Sequence, residues 1–351
     1  MRPWILLLAL AALFSAAFTA VDLPTPVLFG GLAGALVYAV SRPGQPLRLP
    51  DRWFTTGQAV VGVVVGIAVD WASLADLGWS WLLVVVVGCF SLVVSVLVGT
   101  LLMRHGVSRV TATFSSIAGG AAGLTAVADE LGADSRVVAT LQYLRLLVVL
   151  SVMPVVATLV FGARADEDAG TVYLDTGSLP LDLAFCAVAI VGGLYVGRLL
   201  RFPTPAILGP LAVAALLTLV PWFDGATVPW LVLTVGYLCI GIQVGLKFTL
   251  ASLVQIGRMI PTALVTILTT IVACAGLGWV LVALTDVSPL DGYLATNPGG
   301  IYAVLGMSAA AGGDVTFVAA SQILRTVIIL VSAPFVSAYL HRFEDRRPAT
   351  D

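Results

Sequence analysis

The chain has 351 residues, of which 60 % are hydrophobic and 10 % are charged, and its mean hydropathy is +1.06. A soluble domain carries about 25 % charged residues, so this composition excludes a soluble enzyme and a separate soluble module. The formal charge of −2 says nothing about partners, but because the sequence has no basic domain, direct binding to DNA is not expected.

The first predicted element is an apolar helix over 4–20. The segment from Met1 to Ala20 has one arginine, an apolar stretch and small residues, a pattern that also occurs in cleaved signal peptides. Because the corresponding run in the second half, 181–200, is long enough to span a membrane, we expect a retained first helix. Cleavage would leave the rest of the topology unchanged.

Apolar runs long enough to cross roughly 30 Å of hydrocarbon recur along the chain. They cover about 4–20, 23–41, 53–69, 79–103 and 137–162 in the first half, and about 181–200, 203–220, 229–246, 259–285 and 316–340 in the second. Each half also contains a shorter stretch interrupted by glycine, 110–128 and 294–311. The pattern predicts an all-α polytopic membrane protein.

The two halves repeat each other in sequence. Leu23-Pro24-Thr25-Pro26 returns as Phe202-Pro203-Thr204-Pro205, and Gly57, Gly62 and Gly66 return as Gly236, Gly241 and Gly245, all at a shift of 179. Further on, at a shift of 180, Gly119-Gly120 matches Gly299-Gly300, Asp134 matches Asp314, and Gln142 with Arg145 matches Gln322 with Arg325. A register kept over half a protein indicates an internal duplication.

The charge distribution predicts the topology. Lys and Arg in short loops stay on the cytoplasmic side of a membrane. If 110–128 and 294–311 enter and leave by the same face, 14 of the 17 basic residues are cytoplasmic. This asymmetry is lost if both stretches cross, so we interpret them as re-entrant hairpins.

Each half then has five transmembrane helices and one re-entrant, glycine-broken hairpin, and an odd number of crossings inverts the second half. The predicted order is a first membrane repeat over 1–162, an extracytoplasmic linker over 163–180, a second, inverted repeat over 181–340 and a cytoplasmic tail over 341–351. Both termini are expected on the cytoplasmic side of the inner membrane.

The hairpin tips are expected at Ala118-Gly119-Gly120 and at Pro298-Gly299-Gly300. Glycine permits a chain reversal, and proline lacks the backbone donor that a helix requires. Non-helical backbone at membrane depth is tolerated only when it is buried in protein or lines a wet cavity. The alternative is that these glycines serve close helix packing.

Two arginines are predicted deep in the membrane. Arg145 and Arg325 lie about ten residues into their helices, and Gln142 and Gln322 precede them by three residues on the same helical face. Arginine offers a planar fork suited to carboxylate or phosphate, so these residues are candidates for binding an anion. The alternative is that each arginine caps carbonyl groups of a broken helix and only stabilises the fold.

Further polar candidates flank the tips. Thr296 and Asn297 lie beside the second tip, and Ser115 and Ser116 lie beside the first. Together with Gly119, Gly120, Pro298, Gly299 and Gly300, they are candidates to contact a substrate or a coupling ion.

Metal and cofactor chemistry is not expected. The only histidines are His105 and His341, both predicted in cytoplasmic loops, and the four cysteines lack CxxC spacing. Lys247 is the only lysine, and there is no Walker A motif. We therefore predict no enzyme activity, no metal and no cofactor.

The doubled pattern resembles the AbrB-duplication family of bacterial inner-membrane proteins over nearly the whole chain. The residues that carry the resemblance are the Pro-Thr-Pro segments, the Gly-Gly hairpins and the Gln-x-x-Arg helices; Ala118 replaces the proline of the pattern in the first copy. Members are labelled as an ammonia monooxygenase or as a regulator of gene expression. A monooxygenase needs a cluster of metal ligands, which this sequence does not offer, so the resemblance implies architecture more than activity.

The sequence predicts a secondary transporter of a small, anionic solute that works by alternating access. The alternative is a membrane-embedded sensor that affects gene expression without touching DNA. The expected partners are the lipid bilayer and the small-molecule substrate, with no nucleic acid. A homodimer is compatible with this fold class, but nothing in the sequence requires one.

Overall fold

The computed structural model describes residues 2–69, 80–117, 128, 133–164, 178–202, 204–223, 225–247 and 257–344. All regular secondary structure in these residues is helical. The α-helices are α1 Arg2–Thr19, α2 Pro26–Ser41, α3 Asp51–Ile67, α4 Ser80–Gly99, α5 Arg109–Ser116, α6 Ser135–Phe161, α7 Leu179–Leu199, α8 Pro205–Leu217, α9 Trp230–Leu246, α10 Ile260–Leu284, α11 Pro289–Thr296, α12 Ile301–Ala310 and α13 Val315–Glu344.

Several of these helices have the length and composition of membrane spans. Among the described residues, four helical segments are long and apolar enough to cross a membrane: Leu82–His105, Arg136–Phe161, Leu179–Leu199 and Ile260–Leu284. Shorter apolar helices of 10–17 residues accompany them. The predicted all-helical, membrane-spanning class is confirmed at this level, whereas the number of crossings and the inversion of the second half stay predictions.

The second predicted tip is a helix break. α11 ends at Thr296, α12 begins at Ile301, and the four residues between them are not helical. Pro298 has no backbone N–H, so the helix cannot supply the usual hydrogen bond to the Leu294 carbonyl. In the first half, α5 ends at Ser116. The first tip, Ala118 with Gly119 and Gly120, lies outside the described residues.

The chain divides into two compact units, each of which takes segments from both halves of the sequence. Unit 1 comprises Met1–Leu77, Leu150–Ala251 and Gly300–Ala319, and unit 2 comprises Gly78–Val149, Ser252–Gly299 and Ala320–Asp351. Because each unit contains segments of both predicted repeats, this division does not test where the repeats begin and end.

Unit 1 is packed through glycines. A Cβ atom at Gly62 on α3 would overlap the Ile207 carbonyl oxygen of α8, and a Cβ atom at Gly241 on α9 would overlap the Leu28 carbonyl oxygen of α2. The two contacts are related by the shift of 179 in both partners. Small residues allow this backbone-to-backbone approach, as is common between membrane helices.

The turns that close two helical hairpins of unit 1 also recur at the shift of 179. After α1, the Leu23 N–H donates to the Phe18 carbonyl oxygen at 3.0 Å, and after α7 the Phe202 N–H donates to the Gly197 carbonyl oxygen at 3.0 Å. Asp22 and Arg201 hold the left-handed position of these turns, with φ of 51° and 53°. This is a Schellman motif with a residue other than glycine at the position that favours glycine.

Unit 2 contains both short helices, α5 and α11, with α4 and α10. A Cβ atom at Gly99 on α4 would lie 2.6 Å from the Ser116 Oγ, and one at Gly278 on α10 would lie 2.9 Å from the Thr296 Oγ1. Each short helix therefore packs with its last turn close against the glycine of a long helix.

Candidate functional site

The helices that carry the predicted site begin with an aspartate cap. Asp134 Oδ1 accepts a hydrogen bond from the Val137 N–H at 3.2 Å, and Asp314 Oδ1 accepts one from the Phe317 N–H at 2.9 Å. Satisfying free N–H groups in this way fixes where α6 and α13 start. Arg145 and Arg325 follow ten residues after the first residues of these helices, about 15 Å along the helix axis.

The two glutamines donate hydrogen bonds to carbonyl groups at the ends of the short helices. Gln142 Nε2 lies 2.6 Å from the Phe114 oxygen and 2.8 Å from the Ile117 oxygen. Gln322 Nε2 lies 2.8 Å from the Leu294 oxygen and 3.2 Å from the Asn297 oxygen. Gln322 thus supplies the donor that Pro298 cannot give to Leu294.

The arginines donate hydrogen bonds to the same C-terminal ends of α5 and α11. Arg145 Nη1 donates to the Ile117 oxygen at 2.6 Å, with a longer contact of 3.5 Å to the Ser116 oxygen. Arg325 Nη1 donates to the Asn297 oxygen, with a contact of 3.5 Å to the Thr296 oxygen. The last carbonyl groups of a helix lack partners and carry a partial negative charge, so a cation stabilises both ends.

We call Gln142 with Arg145 the first Gln–Arg brace, and Gln322 with Arg325 the second. These four contacts of each brace have a counterpart in the other at a shift of 180 in donor and acceptor alike. The arginines therefore cap carbonyl groups at the ends of the short helices, which is the alternative role that the sequence left open for them.

The braces do not use all the hydrogen-bonding capacity of the guanidinium groups. Arg145 and Arg325 are 5 % and 6 % exposed, and the Nε atom of each is buried without a hydrogen-bond partner. Within the described residues, Nη1 is the nitrogen through which each arginine donates. Nε and Nη2 together form the fork that fits a planar oxyanion. The Nε side of this fork makes no hydrogen bond in either arginine.

The two guanidinium groups also lie within electrostatic range of each other. Arg325 acts on Arg145 as a repulsive charge, and the Cys274 thiol on α10 interacts with both. An arginine in the middle of a membrane helix already costs about 2.5–3.5 kcal/mol. Placing a second positive charge nearby adds to that cost, and a bound anion would offset it.

Sequence reasoning missed three residues of this region. Thr266, Thr270 and Cys274 are buried and follow each other at intervals of four on α10. Thr266 and Thr270 line a small pocket together with Arg145, Ser115 and Ser116. The four-residue spacing of small polar residues within an apolar run could have revealed this face, because residues i and i+4 lie on one side of a helix.

The remaining predicted residues lie at or near the break between α11 and α12. Asn297 is buried, and its carbonyl oxygen is an acceptor in the second brace. Its side chain interacts with the Tyr293 hydroxyl, although neither amide atom makes a hydrogen bond of ordinary geometry. Pro298 is buried, whereas Gly299 and Gly300 are partly exposed. Gly119 and Gly120 lie outside the described residues, so their predicted role is not tested.

Metal ligands do not cluster in the part of the chain that the structure describes, where no three His, Cys, Asp or Glu side chains could hold an ion together. The predicted lack of enzyme activity stays a prediction.

Comparisons of the sequence with known proteins assign the chain to a family. The model of the family AbrB, described as "Transition state regulatory protein AbrB", matches residues 27–341. The chain is similar to "Putative regulator AbrB" of Escherichia coli (strain K12), with 31 % identity over 348 residues covering 99 % of both chains. It is also similar to "Uncharacterized protein YhjN" of Bacillus subtilis (strain 168), with 24 % identity over 98 % of this chain and 94 % of the relative. This chain therefore belongs to the AbrB-duplication family that the doubled sequence pattern resembles.

Proposed function

We propose that this protein is a secondary transporter that moves a small anion across the inner membrane by alternating access. The observation that carries the proposal is the pair of buried guanidinium groups, which repel each other and keep their Nε atoms without a hydrogen bond. Such a site favours a negatively charged ligand, because arginine cannot lose its proton to relieve the repulsion. No catalytic residue, cofactor or nucleic acid takes part in this proposal.

Recurring contacts support the duplicated architecture of this proposal, and the charge distribution supports its inversion. Reciprocal glycine contacts in unit 1 keep a shift of 179, and the braces in unit 2 keep a shift of 180. Many secondary transporters consist of two inverted repeats that bind substrate near the midplane beside broken helices. Five crossings in each half and two cytoplasmic termini are the topology that the basic loops favour.

Bracing and binding are compatible within one arginine. Nη1 holds the end of a short helix, while Nε has no hydrogen-bond partner and is available to a ligand. The brace then fixes the orientation of the fork before the anion arrives, which reduces the entropy lost on binding. Movement of one half or bundle against the other would expose the site to each side of the membrane in turn.

The test is anion flux into proteoliposomes that contain the purified protein. We expect flux above that of protein-free vesicles, and loss of at least about 90 % of it in an Arg145→Gln/Arg325→Gln double variant, because glutamine keeps a donor for the carbonyl groups but removes the charge. Thermal unfolding of the same variant must show that it is folded.

A second pair of variants separates binding from bracing. Arg145→Lys and Arg325→Lys keep the charge but lose the fork, so we expect them to retain weak transport. If a folded double Gln variant transports like the wild type, the arginines only brace the fold, and the anion transporter proposal fails.

A membrane sensor is the second candidate, and the name of the E. coli relative as a regulator favours it. A sensor would bind the same anion at the same arginines without moving it. Saturable binding in detergent without flux in vesicles would therefore support the sensor and exclude the transporter.

A further inference from the structure

The pocket beside Arg145 has an unusual lining for the interior of a membrane protein. Two hydroxyl groups come from α5, Ser115 and Ser116, and two come from α10, Thr266 and Thr270. All four residues are buried. Arg145 contributes the positive charge from α6. Five polar residues from three helices thus share the lining of one small space with four apolar residues, Leu102, Leu141, Ala263 and Ile267.

The hydroxyl groups can change their hydrogen bonds at low cost. Each donates to a carbonyl oxygen of its own helix, with distances of 2.7 Å for Ser115, 3.0 Å for Ser116, 2.7 Å for Thr266 and 2.8 Å for Thr270. In a regular helix these carbonyl oxygens also accept a backbone N–H. A hydroxyl that rotates toward the pocket therefore leaves no unsatisfied acceptor behind.

Arg145 supplies the charge that attracts a ligand here. Its Nη1 is engaged with the end of α5, and its Nε is buried without a partner. The carbonyl groups at the end of α5 balance part of the positive charge, so the residual charge matches a single negative charge better than a double one.

The size of the pocket limits the ligand. It has room for about one water molecule, which is too little for an organic acid with several carbon atoms. We propose that this pocket is a subsite for a monatomic monovalent anion of the size of chloride, held by Arg145 and by the hydroxyl groups of Thr266 and Thr270. This inference rests on the proposed function and narrows its substrate class.

The experiment is an equilibrium titration of the detergent-solubilised protein with each anion, in which the thermal unfolding temperature reports binding. Sodium chloride, nitrate, formate, acetate and phosphate each replace sodium gluconate at constant ionic strength, so that general salt effects cancel. We expect saturable stabilisation by chloride, and none by nitrate, formate, acetate or phosphate, which are all larger than the pocket.

Variants place the effect in the pocket. Thr266→Val and Thr270→Val remove one hydroxyl with little change of shape, and each is expected to weaken binding about tenfold or more, since a hydrogen bond to a charged group is lost. Thr326→Val is the control, because Thr326 is a buried threonine in unit 2 whose hydroxyl bonds to the Gln322 carbonyl oxygen and does not line the pocket.

The outcomes separate this inference from the proposed function. If nitrate, formate, acetate or phosphate binds and only Arg145→Gln abolishes binding, the monatomic-anion subsite is overturned while the anion transporter stands. If Thr270→Val, Thr266→Val and Thr326→Val behave alike, the subsite is also overturned. If no anion binds to the wild type, both proposals fall.

Discussion

Units 1 and 2 hold their helices together by different means. In unit 1, α3 and α8, like α2 and α9, approach until a Cβ atom at Gly62 or Gly241 would overlap a carbonyl oxygen. In unit 2, glycine contacts occur as well, but the short helices α5 and α11 are in addition bound at their ends by the two Gln–Arg braces. Close packing gains dispersion energy throughout a contact, whereas a brace satisfies particular backbone groups.

The difference bears on the anion site that we propose in unit 2. Glycine packing leaves no space and no unused donor at the contact itself. A brace needs polar side chains inside the protein, and these have more donors than the helix end requires, as the Nε atoms of Arg145 and Arg325 show. Buried polar atoms without a hydrogen bond also occur in unit 1, for example Thr25 Oγ1 and Thr204 Oγ1, but in unit 2 they include the donors of two cations. Charged groups are the most costly to place in a membrane interior.

The largest expected effect tests the packing of unit 1. A Cβ atom at Gly193 on α7 would overlap backbone atoms of Pro210 on α8, whereas one at Gly192 would lie 3.9 Å from Val213 Cγ1. We expect Gly193→Ala to reduce the free energy of unfolding by about 3 kcal/mol, because backbone cannot move aside as a side chain does.

Gly192→Ala is the matched control, a neighbour in the same helix. It should leave stability unchanged or raise it by up to about 1 kcal/mol, since alanine favours a helix over glycine. Denaturant unfolding of both variants in one detergent measures the difference. If Gly193→Ala is as stable as Gly192→Ala, α7 and α8 are not in backbone contact at this position.

The second effect tests the braces of unit 2. Gln322→Leu leaves the carbonyl groups of Leu294, Ala295 and Asn297 without this donor. We expect a loss of about 2 kcal/mol in the free energy of unfolding, since buried acceptors without a partner cost about 1–3 kcal/mol. Gln142→Leu removes contacts to Phe114 and Ile117 and should cost somewhat less.

Half-buried Gln58 on α3 supplies the control for this pair. Gln58→Leu should change stability by less than about 0.5 kcal/mol. A loss as large as that of Gln322→Leu would mean that any glutamine-to-leucine change has this cost, and the brace would not explain it.

Much of this arrangement follows from the sequence, because it depends on local rules. The apolar runs predict the helices, proline and glycine predict the break between α11 and α12, and the spacing of Gln322 and Arg325 predicts a shared helical face. The glycine register at a shift of 179 predicts a duplication, though not that Gly62 faces Ile207, about 145 residues away.

Other parts of the site depend on tertiary structure. No local rule tells which carbonyl groups the arginines reach, or that Thr270 of α10 lies across from Ser116 of α5 in one pocket. Cys274 looks like a small core residue in the sequence, and only the folded chain places it beside two guanidinium groups. The turn at Arg201 could not be predicted for another reason, because the sequence rule for this turn expects glycine at its left-handed position.

The third effect compares the interiors of the two units through the reactivity of one cysteine in each. Cys274 lies within electrostatic range of both arginines in unit 2, whereas Cys186 belongs to an apolar cluster of unit 1 and lies within electrostatic range of the buried Asp182. The arginines attract an anionic reagent and Asp182 repels it, so both contribute to a difference of the same sign. A Cys89→Ser/Cys239→Ser variant leaves only these two thiols. If transport opens unit 2 to water, the arginines should concentrate an anionic thiol reagent near Cys274.

The measured quantity is the ratio of modification rates for an anionic and a cationic methanethiosulfonate, determined for each cysteine by mass spectrometry. We expect this ratio to be about tenfold larger at Cys274 than at Cys186, equivalent to about 1.4 kcal/mol in activation free energy. Equal ratios would mean that the arginines are not accessible to anions from water.

The smallest effect concerns the turns of unit 1 and has an unusual sign. Arg201 adopts a φ of 53° at the end of α7, where a side chain costs about 1 kcal/mol relative to glycine. Arg201→Gly is therefore expected to stabilise the protein by about 1 kcal/mol. Arg198→Gly, three residues earlier inside the helix, should destabilise it by a similar amount.

Asp22→Gly extends the test to the other half of the sequence. Asp22 holds the same position in the turn after α1, but aspartate tolerates the left-handed region better than arginine. The gain should thus have the same sign and be smaller. Since both turns share hydrogen bonds at a shift of 179, opposite signs at Asp22 and Arg201 would show that the repeated sequence does not form a repeated turn, and would remove one support for the inverted repeat.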